Sequence, residues 1–210
     1  MLATHALLAF LLATAVFLLI PGPSVLFVIA RSVEHGRRAG IVSVLGGQVG
    51  NPVHVLAATV GLSALLASSV LAFSVVKYLG AGYLIYLGIR TLLTKQAVTP
   101  QEIGMPRSLR RIFSQSIFVY ALNPKTALFF LAFLPQFTDP SRGALWSQIL
   151  FLGVLFVVSA CVTDGLYALL AGTMGGRLRG NIRFWRTQRY LSGGVYIALG
   201  LTAAISGERK

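Results

Sequence analysis

Two ionisable residues, Lys125 and Asp164, occur inside long apolar runs of the sequence. A charge at the centre of a lipid bilayer costs roughly 3 kcal/mol, so such residues are candidate functional groups. An ammonium and a carboxylate at one depth could bind the two charges of a zwitterion, and the carboxylate could also carry a proton. Alternatively, the two side chains could form a fixed ion pair between neighbouring helices, with no part in binding.

Two proline-containing breaks interrupt the apolar runs. The first, Pro-Gly-Pro-Ser at residues 21–24, lies in the first run, and the second, Asn-Pro-Lys-Thr at residues 123–126, lies in the fourth. Because proline donates no N–H and its ring clashes with the preceding turn, each break frees backbone groups that lipid cannot satisfy. Paired breaks in corresponding positions of two halves are typical of transporter binding sites. A helix that begins near Pro23 would also direct its free N–H groups towards a carboxylate.

Asn51 is a further polar candidate at the depth of Lys125 and Asp164, and Gln48 is expected somewhat closer to the cytoplasm. At about 1.5 Å per helical residue, Asn51, Lys125 and Asp164 each lie roughly 20 Å from basic residues that flank their runs, within a hydrocarbon core about 30 Å thick. The amides of Gln48 and Asn51 could instead form hydrogen bonds between helices without binding a ligand. Asp164 is also the candidate for proton coupling. The predicted substrate-binding residues are Pro21, Gly22, Pro23, Ser24, Gln48, Asn51, Asn123, Pro124, Lys125 and Asp164.

The composition is that of an integral membrane protein. Of the 210 residues, 56% are apolar and 11% are charged, whereas about 25% of the residues of a soluble domain are charged. Several runs reach the roughly 20 apolar residues that a helical span needs. They predict an all-α integral membrane protein with six transmembrane helices, of which the first and fourth are broken. The predicted spans cover residues 2–30, 41–66, 73–93, 112–137, 146–171 and 190–205.

The basic residues predict the orientation of these spans. The net charge is +13, and most Lys and Arg residues lie in the first, third and fifth connections, which include a predicted turn at residues 31–40 and a predicted loop at residues 177–189. Because basic residues favour the cytoplasmic side, these connections should be cytoplasmic and both termini periplasmic. The same placement explains the charge without nucleic acid, which is not an expected partner.

The two halves of the sequence resemble each other. Residues 77–89 align without gaps on residues 189–201 with six identities, and Ser-Val-Leu-Phe after the first break matches Thr-Ala-Leu-Phe after the second. Since the first and fourth spans enter the membrane from opposite sides, the halves predict an inverted 3+3 repeat. A single transporter domain at residues 1–210 would then contain repeat one at residues 1–93, a linker at residues 94–111 and repeat two at residues 112–206.

Metal, cofactor and enzymatic chemistry have little support in the sequence. Cys161 is the only cysteine, and His5, His35 and His54 are scattered. A metal-ion site needs anionic or soft ligands close together, so no metal ion and no cofactor are predicted. No nucleophile stands at a useful spacing from a base, so no catalytic residues are predicted and the chain is not expected to be an enzyme.

Four motifs occur in order along the chain: Pro-Gly-Pro at residues 21–23, Tyr-Leu-Ile-Tyr-Leu-Gly at 83–88, Asn-Pro-Lys-Thr-Ala-Leu-Phe-Phe at 123–130 and Leu-Pro-Gln-Phe at 134–137. With them the sequence resembles the LysE/RhtB family of bacterial amino-acid exporters over nearly its whole length. Ser24 departs from the amide or acid expected there in many relatives, which leaves the identity of the amino acid open.

The resemblance implies a six-span secondary transporter of the bacterial inner membrane, driven by proton antiport. Its expected partners are an amino-acid substrate and membrane lipid, and a homodimer is left open. The wider superfamily includes metal-ion exporters, so export of a metal ion or another small solute is the alternative.

The predicted orientation is testable by cysteine labelling from either side of the membrane, in a variant that lacks Cys161. Cysteines that replace Arg37, Arg107 or Arg183 should react from the cytoplasmic side, because basic connections are retained there. A cysteine that replaces Lys210 should react from the periplasmic side. Reaction of the Lys210→Cys variant from the cytoplasm alone would contradict the six-span topology.

Overall fold

All regular secondary structure in the described part of the chain is helical. The computed structural model describes residues 2, 4–62, 70–93, 108–178 and 182–205. Its α-helices are α1 Thr4–Leu18, α2 Pro23–His35, α3 Arg37–Gly50, α4 Pro52–Ala57, α5 Val70–Leu93, α6 Leu109–Ala121, α7 Pro124–Leu128, α8 Leu145–Leu178 and α9 Ile182–Ile205. Ala58–Leu62 and Phe129–Phe133 form wider π-helical turns, and Leu134–Phe137 and Pro140–Arg142 are short 3-10 helices.

Three continuous helical stretches are long and apolar enough to cross a membrane, namely Arg37–Gly61, Leu109–Phe137 and Leu145–Met174. The α1–α2 pair, bent by 50°, adds a fourth if it is counted as one span. Of the other two predicted spans, α5 and α9 are each 24 residues long, and α5 contains the shorter apolar helix Tyr78–Leu93. By length and composition the described residues thus contain three or four spans, and the count of six stays a prediction.

Both predicted breaks are present. The first apolar run divides between α1 and α2, and Pro23 occupies the first turn of α2. The fourth run divides between α6 and α7, where Asn123 precedes the helix and Pro124 begins it. A proline at the first helical position costs little because its missing N–H would have no partner there. The sequence thus stops and restarts each helix within its apolar run.

The predicted turn at residues 31–40 is wrong. Helix α2 continues to His35 and α3 begins at Arg37, so Gly36 alone forms the corner, with a φ of 82° that glycine adopts readily. The charges in α2 do not end the helix because Arg31 donates to Glu34 at 2.7 Å across one helical turn.

The predicted loop at residues 177–189 is also wrong where it is described. Helix α8 extends to Leu178, and α9 begins at Ile182. Arginine and glutamine favour helix, so a basic segment need not be a loop. Most of the predicted linker, residues 94–107, lies outside the described residues, and the end of that linker forms the start of α6.

Helix α8 packs against α1, α2 and α3, while α6 packs along α3. A methyl group at Gly46 would overlap the carbonyl oxygen of Phe113, and one at Gly50 would overlap that of Ile117. The four-residue spacing of these glycines therefore brings the backbones of α3 and α6 together, as small residues do between membrane helices.

Helices α5 and α9 pack on each other in a reciprocal way. A methyl group at Gly88 would lie 2.7 Å from the carbonyl oxygen of Gly193, and one at Gly200 would lie 2.7 Å from that of Ala81. In the alignment of the two halves, Gly88 corresponds to Gly200 and Ala81 corresponds to Gly193. The two contacts are therefore the same contact with the halves exchanged.

This reciprocity predicts paired stability effects. Replacing Gly88 or Gly200 with alanine should each destabilise the protein by about 1–3 kcal/mol, because the new methyl group overlaps a backbone that cannot retreat. Gly82→Ala and Gly194→Ala are matched controls, since both positions are also aligned and neither has an atom within 4 Å of the added carbon. Thermal unfolding in detergent measures all four. Equal melting temperatures for the Gly88 and Gly82 variants would contradict the close contact.

Candidate functional site

The two breaks meet through the side chain of Asn123. Its amide nitrogen donates to the Ser24 hydroxyl at 2.8 Å and to the Thr126 hydroxyl at 3.0 Å. Its Oδ1 accepts from the backbone N–H of Lys125 at 3.1 Å and so caps the start of α7. One buried amide therefore ties the start of α2 to the start of α7.

The first break leaves carbonyl groups at the end of α1 without helical partners. The Lys125 ammonium donates to two of them, Phe17 O at 2.9 Å and Ile20 O at 2.6 Å. The Tyr167 hydroxyl donates to a third, Leu19 O, at 2.7 Å. A cation at the carboxyl end of a helix also complements the negative end of the helix dipole. Groups that the break frees are thus satisfied by side chains from the second half of the chain.

Lys125 is almost fully enclosed, with 5% of its surface exposed. Its Nζ lies 4.2 Å from the centre of the Phe17 ring and 5.4 Å from that of Tyr196, within the range of cation–π attraction. Gly22 makes room for this arrangement, because a methyl group there would lie 2.6 Å from Lys125 Cδ and 3.2 Å from the Tyr196 hydroxyl. Any side chain at position 22 would displace Lys125 or Tyr196.

Asp164 is 2% exposed and is held from one side only. Its Oδ2 accepts from the Tyr120 hydroxyl at 2.9 Å and, more weakly, from the Gln48 amide at 3.5 Å. The Asn51 amide in turn donates to Gln48 Oε1 at 3.0 Å. The other carboxylate oxygen of Asp164, Oδ1, is buried and has no hydrogen-bond partner among the described residues. A buried carboxylate oxygen without a partner is costly, so this atom can accept a bond from a ligand or carry a proton.

Lys125 and Asp164, both within the described part of the chain, form no direct ion pair. Lys125 donates to the carbonyls of Phe17 and Ile20, and Asp164 accepts from Tyr120 and Gln48. The fixed pair that the sequence left open is therefore not the arrangement in this structure.

A cavity of about 30 Å³ lies between the two breaks. Its lining includes polar side chains, such as Asn51 and Asp164, and apolar side chains, such as Leu18 and Phe156. This volume holds about one or two water molecules, whereas pockets for small organic ligands usually exceed about 300 Å³. In this structure the site is closed to a ligand of that size. Its lining residues are Phe17, Leu18, Gly22, Ser24, Val25, Asn51, Tyr120, Asn123, Lys125, Thr126, Phe156, Ala160 and Asp164.

Six of the ten residues predicted from the sequence line this cavity, and four do not. Gln48 stands behind Asp164 and bonds to it. Pro21 is half-buried, while Pro23 and Pro124 are exposed at the starts of their helices. The three prolines therefore shape the backbone of the breaks without lining the cavity.

Tyr120 is a site residue that the sequence did not reveal. It lies one helical turn before Asn123, where a residue shares the face of the break, and its ring covers Gly47. Its carbonyl oxygen lies 2.9 Å from Nε2 of His54, so His54 is held by packing and a hydrogen bond. Among the described residues, no group of three or more His, Cys, Asp or Glu side chains is placed to hold a metal ion.

A column of phenylalanine rings runs from this cavity to a second, larger one. Ring centres are 4.3 Å apart for Phe17 and Phe129, 5.5 Å for Phe129 and Phe133, and 5.6 Å for Phe133 and Phe137. Phe137 lines the second cavity, which measures about 350 Å³ and also contacts Asp139. The π-helical turn Phe129–Phe133 supplies the middle of the column, and such turns are frequent at functional sites.

The amide that joins the breaks should be a point of high sensitivity. Asn123→Ala removes a helix cap and the bond to Ser24, so it should destabilise the protein by about 1–3 kcal/mol. Ser114→Ala is the control, because the Ser114 hydroxyl donates to the Arg111 carbonyl of its own helix at an exposed site. Thermal unfolding of the two variants in detergent tests this. Equal stability would show that the Asn123–Ser24 link contributes nothing.

Comparison with known proteins finds relatives that are similar to most of this chain. A homoserine/homoserine lactone efflux protein of Salmonella typhimurium is 36% identical over 172 residues, covering 82% of this chain and 83% of the relative. A leucine efflux protein of the same organism is 33% identical over 165 residues, covering 75% of each. A membrane protein of Vibrio cholerae is 31% identical over 200 residues, covering 95% of this chain and 97% of the relative. No solved structure matches.

The profile of one family, described as LysE type translocator, matches residues 15–207. The match includes both breaks, all the residues that line the cavity between them, and both helices of the reciprocal pair. The chain therefore belongs to the LysE type translocator family.

Proposed function

We propose that the protein exports amino acids across the bacterial cytoplasmic membrane by proton antiport, with the cavity between the two breaks as the substrate site. The observation that carries this proposal is that Asp164, whose Oδ1 has no hydrogen-bond partner among the described residues, lines a cavity together with residues at the start of α2. The efflux proteins among the relatives support export as the direction of transport.

The walls of the cavity match the parts of an amino acid. Asp164 faces the α-ammonium. The first turn of α2, which has no side-chain cap, offers N–H groups to the α-carboxylate. Leu18, Val25 and Phe156 contact the side chain. The relatives that act on homoserine and leucine support a neutral amino acid as the substrate.

Asp164 also couples transport to protons in this proposal. A carboxylate can bind either a proton or the ammonium of the substrate, and the two states exclude each other. Protonation from the outside would release the amino acid, and proton loss to the cytoplasm would restore the site for the next one. Carboxylates buried in membrane helices commonly carry protons in this way.

The fold that we propose around this site has six spans in an inverted 3+3 repeat, with both termini in the periplasm. Helices α5 and α9 are the third and sixth spans. The reciprocal contacts of Gly88 and Gly200 support a two-fold relation between the halves. Such repeats place the substrate between their broken helices and alternate its exposure by moving one half against the other.

Efflux from preloaded membrane vesicles tests the function directly. A panel of amino acids and divalent metal ions is loaded, and loss is followed with and without an imposed proton gradient. We expect loss of at least one neutral amino acid that accelerates with the gradient. Export of metal ions alone would overturn the proposal in favour of the metal-exporter alternative, and amino-acid export that ignores the gradient would remove proton antiport.

Asp164 should be essential for efflux, whereas Asp139 should not. Asp164→Asn should lower efflux at least tenfold at normal membrane abundance, because an amide offers no charge to the ammonium and no site for a proton. The control is Asp139→Asn, since Asp139 lies outside the spans and the Ser141 hydroxyl and N–H lower the pKa of its carboxyl by donating to it. The Asp139 variant should retain efflux.

The double variant Lys125→Met/Asp164→Asn distinguishes substrate binding by the two side chains from mere compensation of one charge by the other. Removing both partners of a fixed ion pair relieves the cost of a stranded charge. We expect the double variant to stay inactive even when it is well expressed. Recovery of most of the efflux lost by the single variants would contradict a role of Lys125 at the substrate carboxylate and of Asp164 at its ammonium.

A further inference from the structure

We infer that Lys125 holds the site closed by capping the end of α1, and that the substrate carboxylate opens the site by drawing the Lys125 ammonium away from the Phe17 and Ile20 carbonyls. This inference rests on the proposed function and adds the step by which binding moves the first span. Lys125 on this account binds the substrate carboxylate, and its contacts in the absence of substrate decide where the end of α1 lies.

The starting point is the mismatch between the cavity and its proposed ligand. A space of about 30 Å³ is too small for an amino acid, so at least one wall must move before binding is complete. Leu18 and Phe17, in the last turn of α1, form part of the apolar lining. Movement of the end of α1 would therefore enlarge the cavity directly.

Lys125, together with the Tyr167 hydroxyl that donates to Leu19 O, holds this end of α1 in place. The Nζ of Lys125 bonds to Phe17 O and Ile20 O, and it lies over the Phe17 ring. Asn123, two residues earlier, bonds instead to Ser24 in α2. The second break thus grips α1 and α2 through separate side chains, so α1 can be released while α2 stays attached.

The backbone between these two attachments is a natural hinge. Helices α1 and α2 are bent by 50°, and the break between them contains Gly22. The outer face of α1 presents residues such as Leu8 and Leu12, which are exposed to the surroundings of the protein. A small rotation of α1 about the break therefore meets little packed protein on that side.

The carboxylate of an amino acid is a suitable trigger. Both present partners of the Lys125 ammonium are neutral carbonyl oxygens. A carboxylate in the same cavity offers a full negative charge as well as hydrogen-bond acceptors, and it binds an ammonium more strongly than a carbonyl does. A ligand without a carboxylate would lack this advantage and should leave Lys125 on α1.

The test uses a reporter cysteine on α1. In a Cys161→Ala background, Leu18→Cys places one thiol in the cavity wall at a position that is 6% exposed. The rate of its reaction with N-ethylmaleimide is measured in proteoliposomes, after amino-acid efflux by the same reporter protein has been measured. The ligands are L-leucine and L-homoserine, each compared with its own amide, which keeps the ammonium and lacks the carboxylate.

We expect the transported amino acid to raise the labelling rate at least tenfold and its amide to leave the rate unchanged. Adding Lys125→Met should give fast labelling without ligand and no further response. Gly22→Ala is a second variant with the same expectation, because its methyl group displaces the Lys125 side chain while keeping its charge. A cysteine at Leu12, on the outer face of α1, serves as the control and should not respond.

The outcomes separate this inference from the function on which it rests. If the reporter protein exports an amino acid but labelling ignores it, or if the amide accelerates labelling equally, the carboxylate trigger is wrong and the export function stands. Slow labelling in both the Lys125→Met and Gly22→Ala proteins would show that Lys125 does not hold α1. Absence of amino-acid export by the parent and reporter proteins would overturn both proposals.

Discussion

The structure depends on one constraint: backbone groups that are freed inside an apolar run need hydrogen-bond partners from the protein, because lipid offers none. Pro21 and Pro23 end one helix and begin another inside an apolar run, which leaves carbonyls at the end of α1 without helical partners. Lys125 and Tyr167 donate to these carbonyls from the other half of the chain. Because Lys125 belongs to the second break, its hydrogen bonds to the carbonyls at the first break hold the two breaks together around the cavity.

Asp164 differs from these groups because one of its buried polar atoms has no hydrogen-bond partner among the described residues. Tyr120 and Gln48 bond to one of its oxygens, while the other remains without a partner among the described residues. Such an atom weakens the fold unless something else binds it during the working cycle. Both features fit our proposal for the ligand. Its ammonium would bind the unsatisfied oxygen of Asp164, and its carboxylate would draw Lys125 away from the end of α1.

The sequence predicted the two breaks, and it singled out Lys125 and Asp164, which line one cavity, because proline, lysine and aspartate are rare in membrane helices and conspicuous there. It could not predict where Lys125 points, since that depends on the path of α1, or that Tyr120 reaches Asp164 from another helix. The turn at residues 31–40 was wrong for a related reason. Charge indicates the end of a span, whereas Arg31 and Glu34 pair within a helix that continues to His35.

The central claim is that an amino acid binds between the two breaks. Photo-crosslinking tests it most directly, with the purified protein in lipid nanodiscs and a leucine analogue that carries a diazirine in its side chain. The account predicts labelled peptides at the apolar lining, around Leu18, Val25 or Phe156, and loss of that label when an unmodified transported amino acid competes. Label confined to other surfaces, or label at this lining that no amino acid displaces, would contradict it.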